Sequence, residues 1–218
     1  MIRVAKSAVA PQSLLVAGNS KYNHQDVQKQ LIEDHKSKCY LCESILVTDF
    51  EIEHLRPSAQ NAPEFKTSWD NLFLTCGYCN RKKLHYFDHI LNPSLHNIEE
   101  IIQCILTSTK SVTFKSTTTD NPQVDETIAL LHRIFNGTGK IRVIREENFY
   151  EYFLTRINNF HSLLDNYLSN KTADNKNIVI EQLEIKQEFL AFKYHILKQR
   201  DDLFTEFAPY MVWNKVNN

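Results

Sequence analysis

The chain has 218 residues, a formal net charge of -1 and a pI near 6.8. Hydrophobic residues make up 42% of it and aromatics 11%, enough for a real core and too many for a wholly disordered chain. The near-neutral balance argues against a protein that grips nucleic acid by bulk charge alone, since backbone phosphates are ordinarily met by a Lys/Arg surplus. No apolar run approaches the ~20 residues of a membrane helix, and the first 15 residues lack the apolar stretch of a secretory signal, so a cytoplasmic location is expected.

Residues 1–22 read as irregular, punctuated by Pro11 and Gly18. Val27, Leu31 and Ile32 recur at helical spacing and predict a helix over 24–36. A chemistry-bearing stretch follows from 38 to 93 and stops at Leu91-Asn92-Pro93. Leu95, Ile98, Ile101, Ile102 and Ile105 then predict a helix over 94–106. A strand is expected at 111–115 and a helix at 125–135, the latter ended by Asn136-Gly137-Thr138-Gly139. Two long helices, 146–168 and 177–204, are expected to pair as an antiparallel hairpin. The expected class is α+β, mostly α, with a nuclease-like module over 1–95 and a mainly helical docking region over 96–218.

Four of the five cysteines stand as two CxxC pairs, Cys39/Cys42 and Cys76/Cys79. Each such turn sets two thiolates on one side of a tight loop, so together they form a tetrahedral four-cysteine zinc site. With every position taken by sulfur no water can bind, and the zinc is structural. The alternatives are redox pairs or unrelated core thiols. Cys104 stands apart on an apolar segment and reads as a core residue. The 33 residues between Cys42 and Cys76 exceed the 15–20 of a plain ribbon, so something is inserted between the two halves.

That insert holds Glu53-His54 and Asn71, and Asn80 directly follows Cys79. Phosphodiester hydrolysis requires an activated water and a cation to neutralise charge. His54 suits the base, while Glu53 and Asn80 offer hard oxygens to Mg²⁺ or Mn²⁺. Asn71 is placed to orient backbone across the loop or to steady His54. Arg81, Lys82 and Lys83 are candidates for substrate phosphates. Neighbours on a regular strand face opposite ways, so Glu53 and His54 can serve one phosphate only if the strand is irregular ahead of Pro57. His85 and His89, four apart, read as packed or solvated rather than as ligands.

Residues 39–83 resemble HNH endonucleases of the cysteine-bearing type. The resemblance implies a ββα-metal fold, with Glu53 as metal-ligand acid, His54 as general base, Asn71 as the middle Asn and Asn80 in the final position. It also implies structural Zn²⁺ on Cys39, Cys42, Cys76 and Cys79. Glu stands where Asp or His is common, and Asn where His often ends the motif. The segments Ile52–Pro57, Trp69–Phe73 and Leu91–Pro93, with the N-terminal stretch, are similar to the HNH partner of Septu-type antiphage systems, including those tied to retrons. That likeness implies an ABC-type ATPase partner, with a retron RNA/DNA element as a further component. The rival readings are a stand-alone restriction-like HNH enzyme and a non-catalytic zinc adaptor.

Overall fold

The computed structural model describes residues 1–16, 22–56, 63–108 and 111–213. A short helix α1 (Gln12–Leu15) precedes α2 (Gln25–Asp34), which buries Val27 and Leu31 as their spacing predicts. Strand β1 (Glu51–His54) pairs antiparallel with β2 (Leu72–Thr75), and helix α3 (Gly77–Lys83) follows at once. This ββα unit lies between two cores. Val27, Leu31, Trp69, Leu72 and Leu74 pack on the α2 side, with Ile52 against them. Phe73 belongs to a larger core that runs from the first CxxC turn to the C-terminal helices. The alternation along β2 therefore divides a small sheet between two hydrophobic layers.

The expected helix over 94–106 is cut to a single turn, α4 (Ile98–Ile101), and continues as strand β3 (Ile102–Ser108). Its isoleucines satisfy a helical period, but Ile102 and Cys104 are buried two apart and face Ser116 and Phe114 of β4 (Ser111–Ser116). Pairing with β4, whose Val112 and Phe114 are buried in the same alternation, decides in favour of the strand. Cys104 is buried as expected, on a strand rather than a helix.

Helix α5 (Pro122–Phe135) begins where Asn121 accepts from the N–H groups of Gln123 and Val124, with Pro122 in the first turn. It ends at Asn136, and Gly137 follows with φ +81°. Helix α6 (Ile144–Ser169) buries Tyr150, Phe153, Ile157, Phe160, Leu164 and Tyr167, one stripe at helical spacing. The second long helix is broken into α7 (Ala173–Glu181), α8 (Leu190–Lys198) and α9 (Asp201–Phe207). The break has a local cause. Phe189 adopts a left-handed φ of 53°, and the segment before α8 folds onto the first CxxC turn. There Glu43 accepts from Leu190 N–H (2.7 Å) and Ala191 N–H (3.3 Å), the Glu188 carboxylate accepts from Ile45 N–H (2.7 Å), and Lys38 Nζ donates to the Gln187 carbonyl (2.8 Å). A carboxylate at a helix N-terminus satisfies orphan donors and meets the positive end of the dipole. No helix among the described residues is long and apolar enough to cross a membrane.

His195, on α8, is buried with its Nε2 3.0 Å from the Ile102 carbonyl, and burial lowers its pKa to about 4. In the unfolded chain it titrates near 6.5. As pH falls below that value the unfolded chain takes up a proton the fold refuses until about 4, so stability is lost across this window, by up to about 1.4 kcal/mol per pH unit. The melting temperature is expected to fall between pH 7 and 5, and His195→Gln to flatten part of that slope; an identical slope in the variant overturns the assignment.

Candidate metal centre and groove

The first CxxC turn grows out of the end of α2. Lys36 and Ser37 turn the chain with φ of 54° and 57°, and Cys39 N–H donates to the Ser44 carbonyl (3.0 Å). The turn closes when Glu43, at φ 66°, donates its N–H to the Cys39 carbonyl (2.9 Å). Tyr40 N–H donates to the Leu74 carbonyl (3.0 Å), which moors the turn on β2. The second pair opens α3: Cys76 is its N-cap and Cys79 sits in its first turn, the Cys79 N–H donating to Cys76 Sγ at 3.3 Å. All four sulfurs lie within 4.8 Å of one another, and Cys42 Sγ is 4.0 Å from Cys76 Sγ. Tetrahedral zinc with sulfur at about 2.3 Å places its ligands roughly 3.8 Å apart, so the cluster is compatible with that ion.

The electrostatics agree. Burial opposes ionisation of Cys39, but hydrogen bonds from Cys42, Cys76 and Cys79 outweigh it and hold that thiol well below its usual range. Burial pushes the Cys42 and Cys79 thiols well up. A set of this kind holds negative charge on all its sulfurs only with a cation at its centre.

Strand β1 alternates as the pleat requires. Glu51 and Glu53 face α3, whereas Ile52 packs on the α2 side. Glu53 is 7% exposed; its carboxylate accepts from Tyr40 Oη (2.5 Å) and pairs with Lys83 Nζ (2.7 Å). Burial raises its pKa, against the pull of Lys83 and Tyr40. His54 is half-buried, its Nε2 3.0 Å from the Lys66 carbonyl and its ring edge-on to Tyr22 at 4.8 Å. A carbonyl only accepts, so Nε2 carries the hydrogen and Nδ1 is left as the basic nitrogen. Burial lowers the His54 pKa and favours the neutral ring.

No irregularity in β1 is needed to bring Glu53 and His54 together, since both are paired in register, with Phe73 and Leu72. Among the described residues β1 has β2 as its sole partner, so its other edge is open. A groove runs along that edge and is walled from both faces: Tyr22 and His54 on one side, Glu53, Asn80, Lys83 and His85 on the other. Pro57 lies outside the described residues.

Asn71 is buried and bonds backbone across the loop. Its Oδ1 accepts from Arg56 N–H (2.8 Å), and its Nδ2 donates to the carbonyls of Arg56 (2.8 Å) and Phe65 (2.9 Å). It thus fixes both ends of the segment that brings Lys66 to His54. Asn80 donates Nδ2 to Glu51 Oε2 (2.5 Å), which leaves Oδ1 as its acceptor atom. The basic run does not present one surface. Lys83 is fully buried between Glu53 and the His54 carbonyl (3.0 Å), Lys82 pairs with Glu146, and exposed Arg81 lies 3.8 Å from Glu51. Nor do His85 and His89 share a helical face, because α3 ends at Lys83 and Leu84 turns away with φ 49°.

Sequence reasoning missed Glu51, Tyr40 and the internal role of Lys83. The signal for Glu51 was its place two residues before Glu53, which puts both on one strand face. Gly77 belongs to the same arrangement: a Cβ there would come within 2.8 Å of Glu51 Oε1, so the bare backbone leaves room for that carboxylate.

Residues 33–86 match the family model described as HNH endonuclease. No curated protein and no solved structure shows significant similarity to the chain. The matched segment contains both CxxC turns, β1, β2 and α3. The chain therefore carries an HNH endonuclease domain at residues 33–86, built around a four-cysteine cluster.

Proposed function

We propose that the protein is a metal-dependent nuclease that hydrolyses phosphodiester bonds in the groove along the open edge of β1. The observation that carries this reading is the convergence there of His54, Glu53 and Asn80 beside the four-cysteine cluster. His54 Nδ1 takes the proton from the attacking water, while the Nε2–H bond to the Lys66 carbonyl fixes the ring and its tautomer. Asn71 acts at one remove, as the clamp of the loop that supplies that carbonyl. The oxygens of Glu53 and the Oδ1 of Asn80 are hard donors and suit Mg²⁺ or Mn²⁺, with Lys83 compensating the Glu53 charge in the cation's absence. When bound, such an ion supplies charge neutralisation for the phosphate and the leaving oxygen. Zinc held by Cys39, Cys42, Cys76 and Cys79 would be left no open position and would serve structure alone.

The reading extends to an effector role in an antiphage complex of Septu type, working with an ABC-type ATPase and, in retron-linked systems, an RNA/DNA element. It is supported by the resemblance of residues 1–95 and by the net charge of -1, which suits a nuclease whose substrate is delivered by a partner. The helices after residue 96 then include the docking surface for that partner.

His54→Ala is expected to lower cleavage about 10²- to 10⁴-fold with no change in melting temperature. Normal cutting by that variant, in Mg²⁺ or Mn²⁺ and with the ATPase partner present, removes His54 from the chemistry. Asn80→Ala is the cleaner test of cation binding, with a raised Mn²⁺ requirement expected in cleavage titrations. Glu53→Gln would also strand a buried Lys83 ammonium and cost stability. Cys76→Ser should reduce zinc content below one per chain and lower the melting temperature by about 10 °C or more. Unchanged zinc and melting temperature would count against the cluster as a metal site.

A further inference from the structure

A second depression lies against the opposite flank of α3. It is lined by Tyr78, Arg81 and Lys82 of α3, by Arg133 of α5, and by Arg145 and Glu146 of α6. Tyr78 is held in this lining by a hydrogen bond from its hydroxyl to the Ile134 carbonyl (2.6 Å) and by stacking on Phe149 at 4.6 Å. Four basic side chains against a single carboxylate give this lining a charge of +3, in a chain whose net charge is -1. Glu146 is already committed to Lys82 and to the Val143 N–H. The Nε of Arg133 is buried with no hydrogen-bond partner among the described residues, and Arg145 is exposed. Arg133 as a whole is only half-buried, and a guanidinium carries five N–H donors, so burial of Nε leaves other donors to meet a phosphate.

Consecutive residues of α3 divide between the two depressions: Asn80 and Lys83 reach the groove, Arg81 and Lys82 the cleft. One helix, about 10–12 Å across, separates them. At about 3.4 Å of rise per nucleotide along one strand, that spans roughly three nucleotides. We infer that this cleft binds the sugar-phosphate backbone of the nucleic-acid substrate a few nucleotides from the scissile bond, with Arg133 and Arg145 as phosphate contacts supplied from outside the matched nuclease segment. The inference rests on the nuclease reading for its substrate, but its readout is binding and not cleavage. The contacts are to phosphate and carry no base information, so the grip is independent of sequence.

The test is fluorescence anisotropy with labelled duplex DNA, single-stranded DNA and RNA, without added divalent ion, across a range of salt. The Arg133→Ala/Arg145→Ala double variant is expected to bind the preferred probe about tenfold more weakly and to reduce the salt slope by about 2. Its melting temperature should stay at the wild-type value. Lys171→Ala/Lys186→Ala removes the same charge from the α6–α7 loop and the turn after α7, and should leave both quantities unchanged. Equal loss in this control would reduce the effect to net charge and overturn the proposal. Wild-type affinity in the Arg133/Arg145 variant, or no binding of any probe by the wild type, would overturn it too. Absence of cleavage beside a persistent difference in binding would instead strike the catalytic reading and leave the cleft assigned.

Discussion

The closure between two CxxC turns is the constraint on which the rest of the molecule depends. Cys39 and Cys42 sit on a turn moored to β2, and Cys76 and Cys79 begin α3. Bringing their sulfurs within 4.8 Å fixes where α3 starts relative to the sheet. From that start, helical geometry determines which of residues 80–83 reach the strand edge and which reach the outer flank. The same turn carries Glu43, whose carboxylate caps α8, so the cluster also sets the position of the C-terminal helices. A small ββα unit buries too little surface to hold such geometry unaided.

Inside that frame the electrostatics are built for placement more than for stability. Glu53 and Lys83 form a buried ion pair, and desolvation of two charges consumes most of what their attraction returns. What the pair gives is a carboxylate held at the groove wall with its charge balanced, and a lysine whose second bond fixes the His54 carbonyl. Both side chains are thereby fixed by the fold itself.

Much of this was legible in the sequence, and for physical reasons. Cysteine spacing brings the four sulfurs together almost directly, and Glu53, His54 and Asn80, singled out by position, line one groove. The C-terminal stripe on α6 was plain from its period. Other features are properties of packing. Ile98, Ile101, Ile102 and Ile105 satisfy a helical period while Ile102, Cys104 and Leu106 satisfy an alternating one, and only β4 selects between them. Leu183, Phe189, Phe192 and Ile196 read as one helix, yet the chain breaks at Phe189 because residues 187–191 have partners on a turn nearly 150 positions away. Nothing local announces that Lys83 is internal while Arg81 is exposed; that follows from where α3 lies.

The unpaired edge of β1 has a consequence apart from chemistry. An open strand edge is a template for pairing with another chain, and soluble proteins guard such edges with charged or polar side chains. Here Glu51, Glu53 and His54 stand on the strand itself, with Asn80 and Lys83 beside it. The residues that line the groove are thus also the ones that make the edge unattractive to a second copy, so edge protection and the proposed chemistry bear on the same three positions of β1.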